Sequence, residues 1–314
     1  NVTVALGSVP QGQGHETIAT SLVSEILGVS PNNVTVFTGF DSTRNIGTPT
    51  SGTYSSRFAP ICSNAIVLAA REIRSKLLRI ASKILNAKPD ELKIDNGQIC
   101  KVSNSSVAVS LKDLAGFVYS GMLDRNPVEE RSLDSTVTYS YPFGRNNEEA
   151  MRNLASSYAY QAHAVVVEVD LETGKVKLLR YAVVDDSGRS LNKMIVEGQV
   201  HGGTYNGIAA ALFEKFVYDD EGQLISSTFN DYLAPTALDI PALKVELLET
   251  PSPFTPTGAK GVGESGALGP QPAIINAIED SLRPYGIKIL ESHVTPEMIV
   301  NLIHHVAAPE AFLS

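Results

Sequence analysis

Hydrophobic residues change period several times along this chain, and each change predicts a different element. Val2, Val4 and Leu6 alternate with smaller or polar residues, which predicts a strand halted by Gly7 and Pro10. From His15 the period lengthens: Ile18, Leu22 and Ile26 form one stripe that ends at Gly28, a helix with its stop. Val34 to Thr38 reads as a second strand, followed by a long polar loop from Gly39 to Arg57. Ile66, Ala70, Ile73, Leu77, Ile80 and Ile84 recur at steps of four and three and predict the clearest amphipathic helix. Short strands at 92–94 and 99–102 flank Asn96-Gly97, a hairpin turn, and a shorter helix covers 111–119.

Residues 124–154 are polar and irregular and suggest a crossover between two lobes, 1–135 and 136–314. Beyond them, β-branched runs at 164–170 and 175–184 meet at Glu172-Thr173-Gly174 and predict a second hairpin. A helix over 196–214 contains Gly198, Gly202, Gly203 and Gly207. Each glycine costs a helix about 1 kcal/mol relative to alanine, so four together predict a close approach by another segment. Residues 243–248 read as a strand, 274–282 as a helix and 287–290 as a strand, and Thr295-Pro296 opens a final helix. Hairpins mixed with helices favour an α+β fold of mixed sheets and packed helices over a doubly wound parallel sheet.

Composition narrows the function. The 314 residues, 43% of them hydrophobic, can bury roughly 75% of their unfolded surface, which suits one large domain or two lobes. With 25 Lys and Arg against 34 Asp and Glu, the net charge of −9 argues against nucleic-acid partners. Two cysteines, Cys62 and Cys100, are too few for an iron–sulfur cluster or a Cys-only zinc site, so a redox centre must come from elsewhere. No run of 18 apolar residues spans a membrane, and the N-terminus lacks signal-peptide order, so a cytoplasmic location is expected. Asn1 begins a strand already under way, without an initiator Met, and reads as a cut or processed end of something larger.

Three segments can carry chemistry. Gln11-Gly12-Gln13-Gly14 precedes a helix whose first N–H groups offer an anion site, although a tight strand-to-helix connection has the same pattern. Thr50 to Arg57 places hydroxyls, the Tyr54 phenol and a guanidinium beside Gly52, a polar wrap for a phosphate or heterocycle or else a solvated loop. Glycines at 258, 261, 263, 266 and 269 surround the lone carboxylate of Glu264. Taken out of water, such a carboxylate holds a proton more tightly and serves as a general base; left in water, it is an ordinary loop residue. The six histidines show no metal-ligand spacing and read as packed or surface residues, and Asp185-Asp186 suits either a cation or a strand-end turn.

Val9 to Thr17, the Glu197-Gly198-Gln199-Val200-His201-Gly202-Gly203 block and Gly258 to Glu264 together resemble the molybdenum-cofactor-binding large subunit of the xanthine oxidase, aldehyde oxidase and carbon monoxide dehydrogenase family. The resemblance runs from about residue 2 to residue 303 and implies the C-terminal half of that subunit, with the fold of its second cofactor-binding domain. It implies a molybdenum hydroxylase that transfers water-derived oxygen to an aldehyde-type carbon, with carbon monoxide dehydrogenase as an alternative and a non-catalytic cofactor scaffold as another. Glu264 falls on the family's catalytic glutamate. Contacts to molybdopterin cytosine dinucleotide would fall on Gly12, Gln13, Gly14, Gly52, Thr53, Tyr54, Ser55, Gln199, Lys260 and Gly263, and no side chain is expected to ligate the metal directly. The N-terminal half of the large subunit, an iron–sulfur small subunit with 2Fe–2S clusters and an FAD medium subunit are the implied partners, so the chain alone should not turn over.

Overall fold

A computed structural model describes residues 1–39, 41–43, 51–120, 132–140 and 157–307. Most of the crossover expected at 124–154 lies outside the described residues, as does part of the 39–57 loop. The chain forms two compact units: residues 1–157 with 251–260, and 158–250 with 261–314.

In unit one, β1 (Val2–Leu6) turns sharply into β2 (Ser8–Val9), and α1 (His15–Leu27) follows the glycine loop. Gly28 closes α1 in the left-handed conformation, φ 60°, as its position past the apolar stripe predicts. Strand β3 (Val34–Thr38) lies parallel to β1, and the short β4 (Ser51–Gly52) lies parallel to β2. A five-residue π-helical turn, Phe58–Cys62, leads into α2 (Ser63–Leu85), which buries Ile66, Val67, Ala70, Leu77 and Ile80. The β5 (Leu92–Asp95) and β6 (Gln98–Lys101) hairpin turns at Asn96 and Gly97, both with positive φ, and β7 (Ala108–Ser110) completes the sheet before α3 (Leu111–Tyr119). The hairpin seats on the end of α1: Gly97 N donates to Gly28 O at 2.7 Å, and a Cβ at Gly28 would press on Ile94 at 3.1 Å. Arg74 Nη1 also donates to Ile26 O at 2.9 Å, placing a cation at the negative end of α1.

Unit two is built on an antiparallel hairpin of β8 (Tyr160–Val169) and β9 (Val176–Asp186), whose turn carries Gly174 at φ 69°. Helix α4 (Lys193–Leu212) follows, capped by Asn192 Oδ1, which accepts from Ile195 N at 3.1 Å. Strand β10 (Leu243–Leu248) then adds parallel to β9, giving the order β10-β9-β8. Three helices complete the unit: a single turn, α5 (Ser265–Leu268), then α6 (Pro270–Ser281) and α7 (Pro296–Ala307). Val183, Val200, Ile208, Ile274, Ile278 and Ile299 meet in one core between sheet and helices. The fold is α+β, with mixed sheets, hairpins and packed helices.

One predicted element is corrected. Residues 287–290 form no strand: Ile287 and Ile289 are buried, but Ile289 N donates to the Glu279 carboxylate at 2.9 Å. The apolar pattern comes from burial against α6, and a side chain takes the hydrogen bond that a neighbouring strand would have supplied.

Candidate functional site

The glycine loop and the hydroxyl-rich segment of unit one are brought together by backbone pairing. Val9 lies opposite Gly52, and Thr53 Oγ1 donates to Val9 O at 3.0 Å. Gly12 and Gly14 take φ of 99° and 75°, values that side chains rarely adopt, and Gly14 caps α1 without supplying a side-chain acceptor. The Gln13 amide oxygen accepts from Gln11 N, folding the loop over itself. Nothing lies within 4 Å of where a Gly12 Cβ would stand, whereas a Cβ at Gly52 would press on the Tyr54 ring at 3.1 Å. Arg57 sits over the Tyr54 ring at 5.7 Å, and Ser55 and Ser56 both take left-handed φ, each at a cost of roughly 1–2 kcal/mol.

Beneath these loops lies His15, fully buried and stacked on Phe58 with ring centroids 3.7 Å apart. Its Nε2 is 3.4 Å from Thr53 Oγ1 and its Nδ1 is 3.5 Å from Ser8 Oγ, while Ser8 and Thr53 are 3.2 Å apart. Because Thr53 spends its only proton on Val9 O, it can only accept from the imidazole, and the single Ser8 proton serves either Thr53 or Nδ1. The imidazole therefore joins both loops from below. Burial pushes its pKa below the ordinary 6.5, against the opposing charge of Glu16.

The Thr257–Lys260 stretch also belongs to unit one, where it is buried at the start of α2. Asn64 Oδ1 accepts from Thr257 N at 2.9 Å while Asn64 Nδ2 donates to Pro60 O at 2.8 Å. Lys260 is buried there, and the next residue, Gly261, begins the return to unit two. The glycine cluster that looks continuous in the sequence is thus divided between units.

Gly263, Glu264 and Gln199 lie in unit two. Glu264 is exposed and immediately precedes α5, and Gln199 is half-buried on α4. Two of the four glycines in α4 explain themselves here. A Cβ at Gly203 would stand 2.9 Å from Gly266 Cα, and one at Gly207 would stand 2.6 Å from Ala267 O. Gly266 answers in kind, since its Cβ would meet Val200 O at 2.8 Å. Backbone packs on backbone, and α5 is seated in a groove on α4 one turn from Gln199. Gly198 and Gly202, by contrast, have nothing within 4 Å.

A family profile described as "Molybdopterin cofactor-binding domain" matches residues 1–241. The chain belongs to this family. It is 34% identical over 302 residues to the nicotine 6-hydroxylase large subunit of Paenarthrobacter nicotinovorans, covering 96% of this chain and 35% of that protein. The carbon monoxide dehydrogenase large chain of Afipia carboxidovorans is 32% identical over 90% of this chain and 32% of its own length. Among solved structures, quinoline 2-oxidoreductase from Pseudomonas putida 86 matches with a TM-score of 0.81 at 32% identity, covering 94% of this chain and 36% of that one. The chain spans about a third of the length of the curated relatives it matches.

Family membership makes a molybdopterin cofactor the frame for these residues. Sequence reading missed two things in this frame. His15 carries no local signal beyond its place at the first turn of α1. Asp185, fully buried on β9, takes hydrogen bonds from Gln161 Nε2 at 2.6 Å and Ser265 Oγ at 3.2 Å, residues 24 and 80 positions away. Its neighbour Asp186 does make the strand-end turn: its Oδ1 accepts from Gly188 N at 3.0 Å and Thr250 N at 3.1 Å.

Proposed function

We propose that this chain is part of a molybdenum hydroxylase that oxidises an aldehyde-type carbon with water-derived oxygen, with Glu264 as its general base. The observation that carries the reading is the seat of Glu264: the turn that holds it is pressed onto α4 at distances that admit no side chain at Gly203, Gly207 or Gly266. Such packing fixes a backbone and leaves one carboxylate at its head.

The residues present fit a pterin dinucleotide. The N–H groups opening α1 have no side-chain cap, and Gly12 leaves open space for a bulky group to approach the backbone. In this reading Gly12, Gln13, Gly14, Gly52, Thr53, Tyr54, Ser55 and Lys260 of unit one, with Gln199 and Gly263 of unit two, hold molybdopterin cytosine dinucleotide with its molybdenum. When bound, that group supplies the redox centre and the site of oxygen transfer. The chain's own part is to bind and orient it, and to accept a proton on the Glu264 carboxylate as the attacking oxygen becomes nucleophilic.

Glu264 is exposed in this chain, so its shielding from water is assigned to the rest of a longer large subunit. The large-subunit and large-chain names of the relatives, and the third of their length that is matched, support that assignment. The same names imply smaller subunits beside a large one; in this reading they are an iron–sulfur small subunit with 2Fe–2S clusters and an FAD medium subunit as electron carriers, and the chain is inactive alone. Nicotine and quinoline, which name two relatives, each contain a ring C=N carbon, the imine counterpart of an aldehyde carbonyl. Both cysteines are free thiols, which suits the reducing cytoplasm.

In the assembled enzyme, Glu264→Gln should keep its molybdenum and lose about 10²-fold or more in turnover, the usual scale of general-base catalysis. Undiminished turnover at full metal loading would overturn the role, and is what a cofactor-carrying scaffold predicts. Parallel assays with aldehydes, N-heteroaromatic rings and carbon monoxide decide the substrate class.

A further inference from the structure

Directly behind the Glu264 turn, unit two holds a row of buried and half-buried polar side chains whose proton directions can be worked out from one end to the other. It begins at Asp185, whose carboxylate can only accept, so Gln161 must present its amide nitrogen to it across the 2.6 Å contact. That fixes the amide's orientation and points Gln161 Oε1 at His163 Nε2, 2.9 Å away. A carbonyl oxygen also only accepts, so Nε2 carries the hydrogen. Neutral His163 is then bare at Nδ1, and the Tyr181 hydroxyl, 3.1 Å from it, must donate. Burial lowers the pKa of His163 against the opposing Asp185 charge and raises that of Tyr181, so both groups keep the protonation this direction needs.

The other end of the row reaches the functional turn. Ser265 follows Glu264 and lies 3.2 Å from the same Asp185 oxygen, Oδ2. Its hydroxyl also donates to Val262 O at 2.9 Å, so one proton is shared between a brace across Gly263-Glu264 and a tether to β9. Farther along, a Cβ at Gly269 would overlap the His163 ring, so the row also packs against the junction of α5 and α6. Asp185 Oδ1 has no hydrogen-bond partner among the described residues. A fully buried carboxylate with one oxygen unpartnered is a poor device for stability alone.

We propose that Asp185 and Ser265 are positioning residues for Glu264, the Asp185 carboxylate being held by the Tyr181–His163–Gln161 row and holding the Glu264 turn through the Ser265 hydroxyl. The proposal rests on Glu264 acting as the base. In the assembled enzyme, Ser265→Ala should lower kcat about ten-fold or more while KM stays within about two-fold and molybdenum content is unchanged. Hydrogen exchange across residues 262–268 should accelerate by about ten-fold in the same variant. Ser265→Thr, which restores a hydroxyl, should recover both quantities. Asp185→Asn should show the same pair of changes, and Ser265→Ala, which touches only a half-buried hydroxyl, stands in for it if the asparagine variant does not assemble.

Glu264→Gln measured in parallel separates the two readings. Loss of turnover in Glu264→Gln, with wild-type turnover and exchange in the Ser265 and Asp185 variants, would overturn the positioning role alone. Undiminished turnover in Glu264→Gln would overturn the base assignment and the positioning role with it.

Discussion

His15 shows how much one side chain can hold. It ties Ser8 on β2 to Thr53 beyond β4, and stacks on Phe58 at the turn into α2. Burial favours the neutral ring, since protonation would place a charge in a buried site. The folded pKa lies below 6.5 while the unfolded chain titrates near that value, so on acidification the unfolded state takes up protons first. Stability is therefore fully present above about pH 6.5 and declines as pH falls through the folded value. Urea midpoints measured from pH 7.5 to 5 should fall with acid, and His15→Phe, which keeps the stack but cannot titrate, should flatten part of that fall. His163 and His293 are shifted the same way and contribute in the same sense. An unchanged slope in His15→Phe would remove His15 from this account. None of it was legible in the sequence: a histidine at a helix start looks the same buried or exposed, and its partners lie 7 and 38 residues away.

For whole elements the pattern served better, because a helix stripe or a hairpin turn is set by neighbours in sequence. The Ile66–Ile84 periodicity gave α2, and Asn96-Gly97 gave the β5–β6 turn with both residues at positive φ. Where long-range burial sets the outcome, the pattern misled: residues 287–290 have strand composition but end on a glutamate side chain. The glycines of α4 fall between these cases. The sequence signalled a close approach, and the structure assigns it to Gly203 and Gly207 while leaving Gly198 and Gly202 open. The two pairs should respond in opposite directions to alanine. At 203 or 207 the new methyl meets α5 backbone, or Pro270 Cγ at 2.7 Å, and overpacking should destabilise by about 1–3 kcal/mol. At 198 or 202 the methyl meets nothing, and the helix should gain up to about 1 kcal/mol. Thermal and urea denaturation of the four single variants checks this, and equal effects across the four would refute the groove.

On the scale of the whole molecule, the segment from Phe213 to Pro241 in unit two inverts the usual arrangement of a connection. Its backbone is organised by its own polar side chains: Asp219 Oδ1 accepts from Gln223 N at 2.7 Å, and Asp239 Oδ2 accepts from Thr236 N at 2.7 Å. Phe213 and Ile240 at its ends pack on the core, but between them large apolar side chains face outward, Phe229 at 87% and Leu238 at 97% exposure, with Phe216, Tyr218, Ile225 and Leu233 also exposed. Fully burying one such side chain is worth about 1.5–3 kcal/mol, so a surface that forgoes this several times within thirty residues is suited to a partner. The remainder of a longer large subunit is the occupant that the proposed function supplies. Hydroxyl-radical footprinting should therefore show Phe229 and Leu238 oxidised several-fold more slowly in the assembled enzyme than in the separate chain, with Leu171, exposed on the β8–β9 turn, as a reference for local reactivity. Phe229→Ser combined with Leu238→Ser should weaken assembly, measured as subunits lost on size-exclusion chromatography, while the melting temperature of the chain stays within a degree or two, because neither side chain is packed within it. Equal oxidation in both states, together with unimpaired assembly of the double variant, would mean that this face stays in water and is not where the proposed partner docks.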